Sequence, residues 1–318
     1  MRVSGAVQLR LKISSAHTRP ARTGRRLALG ILLSLCCSGL AFGQNNSKDN
    51  GEDEEEPARS KPVLPNLYLD LRTIYTTLPA GTLSIGFSPP PLLSNLSNLT
   101  SLGTLSSQAS RSINLDIPVT VDVNERLSVY GGVSGASSQS GSLPWSSFDI
   151  YGFTVGFQAD LYQQNGGMFP TLTIQSNASR SLSDAPLATT SYNTILEAGY
   201  ALNADETRGL LAGAQYTRII VDTMSAEVKP GYMGYVGGYY QWDNNWKFTG
   251  RVGVQSFGGA QLLNLAPFPA FTQPIVRLDL DRMDDDDNRL FGVTAQIAWT
   301  PKPSYQLTVR TPLYAIKN

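Results

Sequence analysis

The chain has 318 residues, 41% of them hydrophobic and 16% charged, with 25 basic and 25 acidic side chains in formal balance. The balance conceals two regimes, because residues 1–43 hold seven Lys and Arg and no acid, whereas the remainder carries 18 basic against 25 acidic residues. Both cysteines, Cys36 and Cys37, and the single histidine, His17, fall in the first regime.

That first regime has the layout of an export signal. A basic n-region leads into an apolar run at 27–35, and Ala41-Phe42-Gly43 then places small residues at the two positions a signal peptidase inspects, which predicts cleavage after Gly43. The run is well short of the roughly 20 residues a transmembrane helix needs. A chain cut there would have neither thiol nor imidazole. That excludes Ser-His-Asp and Cys-His nucleophilic sites, zinc sites built on His or Cys, disulfides and c-type haem attachment. A net of minus seven with scattered basic residues argues against nucleic acid, and no motif implies a cofactor.

Residues 44–65 are polar and acidic, with the run EDEEE at 52–56, and predict a disordered acidic linker because they offer almost no apolar surface to bury. From residue 66 to 318 the signal changes to a period of two. LYLDLRTIYT (67–76) reads as a first strand. The segment 89–108 then spaces Leu93, Leu96, Leu99, Leu102 and Leu105 by three, which fits a short helix or 3₁₀ turn folded into a lumen, or a surface loop. INLDIPVTVDV puts Ile113, Leu115, Ile117, Val119, Val121 and Val123 on one face and Asn114, Asp116, Thr120 and Asp122 on the other.

Hairpins follow in series. LSVYGGVSG returns after a turn at 124–126, and YGFTVGFQADLY (151–162) returns through QQNGG into FPTLTIQS. SYNTILEAGYAL returns through NADETR, GYMGYVGGYYQ through residues 242–245 into WKFTGRVGVQS, and LFGVTAQIAW into SYQLTVRTPLY. PIVRLDL (274–280) supplies one further strand. Segments of about ten residues match tilted strands crossing a bilayer, and the total is about twelve.

An apolar face on every strand fits either a soluble sandwich or a membrane barrel. Three features favour the barrel. Charged residues recur on the polar face, where a wet lumen accepts them, and aromatics such as Tyr162, Tyr192, Tyr200, Trp242, Trp299, Tyr305 and Tyr314 sit near strand ends. Short turns also alternate with longer connections, at 137–148, 179–189, 222–228 and 259–274.

On these residues the stretch from Asn66 to Tyr314 resembles the outer-membrane β-barrel (porin-like) proteins of Gram-negative bacteria, an architectural resemblance without a diagnostic motif. The resemblance implies an all-β, antiparallel up-and-down transmembrane barrel in the bacterial outer membrane, both barrel termini periplasmic and the short turns on that side. Such barrels usually close on Phe or Trp, whereas this chain ends LYAIKN and carries Pro312 in its closing strand. Proline cannot donate to a ladder, so either the last strand ends near Thr311 or the seam lies elsewhere than this assignment puts it.

Twelve strands leave a narrow lumen, and its expected lining includes Asp116, Asp122, Asp160, Glu197, Lys247 and Arg251. The function expected is a porin-like passive channel for small polar solutes, with outer-membrane lipids as partners and a homo-oligomer left open. The competing reading is a non-conducting scaffold or accessory barrel for surface polysaccharide secretion or envelope assembly. An enzyme is not expected, since a histidine-free hydrolase would need two opposed carboxylates and no pair is marked by spacing. The aspartates at 284–287 lack the spacing and turn glycine of a calcium loop, which leaves a charged turn and no metal site. The apolar, proline-rich segment 261–274 is the candidate plug or partner contact.

Overall fold

The computed structural model describes residues 66–80, 109–164, 166–182, 188–223, 226–262, 269–284, 289–299 and 302–316. The expected export signal, the acidic linker, the leucine-spaced segment 89–108 and the aspartates at 285–287 lie outside the described residues. Within them the regular structure is β throughout: β1 (Asn66–Leu78), β2 (Ser110–Asn124), β3 (Leu127–Ser140), β4 (Asp149–Tyr162), β5 (Thr171–Ser181), β6 (Thr189–Ala201), β7 (Arg208–Val221), β8 (Ala226–Val228), β9 (Gly231–Gln241), β10 (Trp246–Phe257), β11 (Ala260–Leu262), β12 (Phe271–Met283), β13 (Arg289–Trp299) and β14 (Pro303–Ile316). Twelve of these close into one barrel, in the order β1-β14-β13-β12-β10-β9-β7-β6-β5-β4-β3-β2. Every neighbouring pair is antiparallel, including the β1–β14 seam.

Closure is what a bilayer demands of a sheet, because an open edge would leave backbone donors and acceptors unpaired in hydrocarbon. The two remaining strands, β8 and β11, pair with each other as a separate two-stranded sheet over the β7–β9 and β10–β12 connections. Sequence periodicity misses it, because three-residue strands show no alternation. It absorbs the start of the apolar segment at 261–274, whose last residues, from Phe271, open β12.

At one end of the barrel lie the start of β1, the end of β14 and the strand ends that flank 125–126, 163–170, 202–207, 242–245 and 284–288; at the other lie the strand ends that flank 79–109, 141–148, 182–188, 222–230, 258–270 and 300–302. The first is the periplasmic end by the rule that short turns and termini share that side. Local chemistry fixes its turns. The side chain of Asn124 accepts a hydrogen bond from the Arg126 backbone N–H at 2.9 Å, an Asx turn that reverses β2 into β3. Asn245, at φ 62°, takes the left-handed conformation that Asn tolerates, and its N–H donates to the Trp242 carbonyl at 2.9 Å to close β9 on β10. Gln164 reaches across to β6, accepting from the Ala201 N–H at 2.7 Å.

The closing strand runs past Thr311. β14 continues to Ile316, and Asp70 of β1 stands opposite Pro312 with a register shift between Leu69 and Asp70. Two things let the proline stay. Pairing of β13 with β14 begins at Gly292 opposite Arg310, so residues 311–316 overhang β13 and Pro312 faces no donor demand from that side. The bulge on the β1 side takes up the remaining irregularity.

Outside, the alternation becomes an apolar band. Ile113, Ile117, Val119, Phe157, Leu196, Leu210, Val236, Val252, Val254, Leu278 and Leu307 are all exposed on the outer wall. A patch this continuous is incompatible with water. Aromatic rings bound it at both ends: Tyr162, Phe169, Tyr200, Tyr240, Trp242 and Tyr314 on the periplasmic side, and Tyr75, Trp145, Tyr192, Tyr216, Tyr232, Trp299 and Tyr305 on the other. On β9 the two girdle tyrosines, Tyr232 and Tyr240, are eight positions apart, or roughly 26 Å of strand, which at the tilt of about 40° usual in such barrels spans about 20 Å of bilayer, close to the height of their apolar band. Girdle rings also touch one another, as in Tyr216–Tyr232 and Tyr240–Trp242, each with centroids 5.4 Å apart. The exterior assigns the barrel to a bilayer, and a closed β-barrel of this kind is the outer-membrane solution to crossing one.

Candidate functional site

Because side chains alternate, every strand sends its second set of residues into the barrel. The interior then divides along the axis. Toward the extracellular end the wall is neutral: Ser112 and Asn114 on β2, Asn177 and Ser179 on β5, Ser191 and Asn193 on β6, Gln215 and Thr217 on β7, Gln255 and Phe257 on β10, Gln273 and Ile275 on β12, and Ser304 and Thr308 on β14 are all buried. Short hydrogen bonds tie the amides together. Gln215 Nε2 donates to Asn193 Oδ1 at 2.7 Å, Thr217 Oγ1 donates to the same oxygen at 3.0 Å, and Gln273 Nε2 donates to Gln255 Oε1 at 2.8 Å.

Toward the periplasmic end the wall is charged and surrounds open space. A cavity of about 310 Å³ at mid-barrel is lined by five arginines, Arg72, Arg251, Arg277, Arg289 and Arg310, and by one carboxylate, Glu197. A second space of about 450 Å³ continues from it along β5, β6, β10 and β12 toward the periplasmic turns. The register explains the arrangement. Arg72 stands opposite Asp116 on one side and Arg310 on the other, while Asp281 stands opposite Gly292 and Lys247.

The best-connected part of this wall is an ion-pair chain over β6, β9, β10, β12 and β13. Arg251 Nε lies 3.2 Å from Glu197 Oε2, and its Nη1 lies 2.9 Å from Asp279 Oδ2. Arg277 Nη2 donates to Asp279 Oδ1 at 2.8 Å, and Thr294 Oγ1 donates to the same oxygen. The Tyr235 hydroxyl donates to Glu197 Oε2 at 2.7 Å. Asp279 thus satisfies two guanidinium groups and a hydroxyl while being only 3% exposed, which is the geometry a buried carboxylate requires. Tyr235 fits because its inward neighbour on β7 is glycine: a Cβ at Gly213 would lie 2.4 Å from the Tyr235 ring. The same device seats Tyr130 over Gly156.

Of the six residues expected on the lumen, Glu197, Lys247 and Arg251 line the open space, and the six are not one site. Glu197 and Arg251 are the ion pair just described. Lys247 places its ammonium 4.8 Å from the centre of the Tyr239 ring, a cation–π contact at the periplasmic rim. Asp160 accepts from Thr173 Oγ1 at 2.8 Å and from Gln163 Nε2 at 3.2 Å, and Asp122 accepts from Ser128 Oγ at 2.6 Å. Both are held by neutral donors near periplasmic turns. Asp116 lies on the wall beside Arg72, 5% exposed.

Alternation also puts Arg310 on the polar face of its strand, whereas Arg72, Arg277, Asp279, Asp281 and Arg289 are not among the residues expected on the lumen. A signal was present for three of them, since the alternation of PIVRLDLDRM puts Arg277, Asp279 and Asp281 on one face. What strand periodicity lacks is the register that carries Arg72 to Arg310 across the seam.

No protein-family model matches the chain, and no curated protein matches it. Among solved structures the barrel is similar to an outer-membrane channel from Pseudomonas putida F1, at 11% identity over 82% of this chain and 100% of the other, with a TM-score of 0.51. Weaker likenesses, both at a TM-score of 0.38, are to the translocator domain of the autotransporter NalP from Neisseria meningitidis (11% identity, 90% of this chain and 95% of the other) and to a FadL homologue from Pseudomonas aeruginosa (10% identity, 79% and 90%). At 11% identity the first of these establishes a shared fold, the closed barrel.

Proposed function

We propose that the protein is a passive outer-membrane channel for small polar solutes. The observation that carries this reading is the charged, water-accessible space inside the periplasmic half of a closed barrel, about 310 Å³ at its centre and about 450 Å³ below it. A soluble protein would fill such a core with apolar side chains. Here the apolar side chains face outward and the lumen holds guanidinium and carboxylate groups, which replace part of a polar solute's hydration shell as it passes. The channel performs no chemistry in this reading: the fixed charges set the local field, and the concentration gradient drives movement.

A second reading, a non-conducting scaffold or accessory barrel for polysaccharide secretion or envelope assembly, draws support from one specific observation. The extracellular half of the inner wall is buried, with Asn114 and Asn193 both at 0% exposure. Planar-bilayer recording of the purified protein separates the two. A steady single-channel current is the expected result, and persistent silence from correctly folded, heat-modifiable protein would reject the channel.

A further inference from the structure

We propose that the mid-lumen arginines form a binding site for small oxyanions, so that the solutes of this channel are anionic; the selectivity claim rests on the channel reading, whereas the site itself does not. The charges in this region nearly balance in number, but they differ in position. Asp116, Asp279 and Asp281 lie at the wall with exposures of 5%, 3% and 5%. In the mid-barrel cavity five arginines face one carboxylate, Glu197, which is already engaged by Tyr235 and Arg251; Glu206, Asp279 and Asp281 line the space that continues from it toward the periplasm. A solute that reaches mid-barrel therefore meets chiefly guanidinium groups.

Two of the arginines make no ion pair among the described residues. Arg72 and Arg310 are register partners across the β1–β14 seam, which sets like charges side by side. Among the described residues neither makes an ion pair, and the Nε of each is buried without a hydrogen-bond partner. The other neighbour of Arg310 is Gly292, which has no side chain to offer. Asp281, one strand further, is committed to Arg289 at 2.8 Å. Asp116 neighbours Arg72 in register, yet no hydrogen bond joins the two. The remaining arginines show how completely this wall pairs a guanidinium when its role is structural: Arg251 and Arg277 share Asp279 at 2.8–2.9 Å. Unpaired cations in a partly desolvated space are costly unless an anion joins them, and the guanidinium fork matches the geometry of carboxylate and phosphate oxygens. Asp116, whose two carboxylate oxygens are also buried without a hydrogen-bond partner, supplies one counter-charge beside Arg72; a small ligand of that chemistry bound between Arg72 and Arg310 would supply the one that Arg310 lacks.

The test uses the full barrel folded in detergent, with folding verified by heat-modifiable gel mobility. Inorganic phosphate and succinate are titrated separately by calorimetry, so that a phosphoryl preference and a carboxylate preference are told apart. Saturable binding of either, weakened on the order of tenfold or more by R310Q and by R72Q, is the expected result. R218Q, on the outer wall near the extracellular rim, should leave it unchanged. Thermal unfolding supplies a readout that a structural role would move the other way: R310Q should leave stability unchanged or raise it, since it relieves a like-charge contact, whereas loss of stability would mark a structural ion pair. Absence of saturable binding to the folded protein overturns the site. In bilayers, a reversal potential favouring chloride over potassium, and block of that current by phosphate in the wild type but not in R310Q, support anionic solutes. A cation-selective current overturns that claim while leaving the channel standing. Binding without any current keeps the site and rejects the channel.

Discussion

On β10, Lys247, Thr249 and Arg251 face the lumen near the periplasmic turn, whereas Gln255 and Phe257 face it near the opposite end; on β12, Asp281, Asp279 and Arg277 give way in the same manner to Ile275 and Gln273. The same strands therefore build two interiors. The extracellular half joins neutral amides and hydroxyls into a tightly buried wall, and the periplasmic half arranges charges, several of them in ion pairs, around open space. Backbone pairing is continuous through both, so the difference lies wholly in the inward side chains. Barrel closure and interior character are consequently separable, and each half can be perturbed while the ladder is kept.

The largest effect is expected where several buried charges depend on one group. Asp279→Ala removes the carboxylate that Arg251, Arg277 and Thr294 share, leaving two guanidinium groups without it. Breaking a buried pair from one side costs about 3–5 kcal/mol, so urea unfolding of the liposome-inserted barrel, followed by tryptophan fluorescence, should show a loss of that order. A change below about 1 kcal/mol would mean that water in the cavity screens the network, and the two halves would then differ less than their geometry suggests.

In the neutral half the unit of stability is the hydrogen bond. Asn193→Leu keeps the branched shape and heavy-atom count of the side chain but removes the acceptor shared by Gln215 Nε2 and Thr217 Oγ1, leaving Gln215 Nε2 only its 3.3 Å bond to Thr217 Oγ1 and the Thr217 hydroxyl without an acceptor. A buried donor left unsatisfied costs about 1–3 kcal/mol, and the same unfolding measurement should place this variant between wild type and Asp279→Ala. Single-channel conductance should be less sensitive to it than to changes at Arg251, because Asn193 does not line the open cavity. Smaller again is Gly213→Ala, whose new Cβ would meet the Tyr235 ring at 2.4 Å and push its hydroxyl off Glu197. Overpacking of this kind costs on the order of 1 kcal/mol. The more informative readout is a shift in ion selectivity as Glu197 loses a donor, which would be missing if Tyr235 merely fills space.

How much of this was legible in the sequence follows from what a period of two encodes. Alternation in INLDIPVTVDV identified the outward and inward faces of β2, and the spacing of hairpins gave twelve strands, because both signals are local. The places of Glu197, Lys247 and Arg251 along the open space follow the same alternation. Their partners are not legible there. Glu197 and Arg251 are 54 positions apart, and Arg72 and Arg310 meet only because the first and last strands pair. Such contacts depend on register and closure, which alternation alone does not specify. Pro312 shows the converse limit: a rule about ladders leaves open whether the strand ends near Thr311 or the seam differs, and only the overhang of β14 past its β13 pairing shows how the strand continues through the proline.

The smallest effect is expected outside the lumen, and it calibrates the rest. At the extracellular rim Arg180 Nη1 donates to Asp222 Oδ1 at 2.8 Å and to Thr190 Oγ1 at 2.7 Å, while its Nη2 engages Asp222 Oδ2. This is the same bidentate chemistry as at Asp279, but the side chains are 40% and 36% exposed. Hydrogen bonding to the guanidinium holds the Asp222 carboxyl below the usual carboxylate range. A depressed folded-state value means that the pair contributes to stability above the ordinary carboxylate range and loses that contribution as pH falls through the depressed value. Carboxyl-carbon NMR of the wild type should give a midpoint below that of a free aspartate, and R180Q should return it to the ordinary value. Added salt should shrink the shift, since water and mobile ions reach the rim. An Asp222 midpoint indifferent to salt would place the rim pair in a shielded setting like that of the lumen, and the contrast between exposed and enclosed charge on this barrel would have to be redrawn.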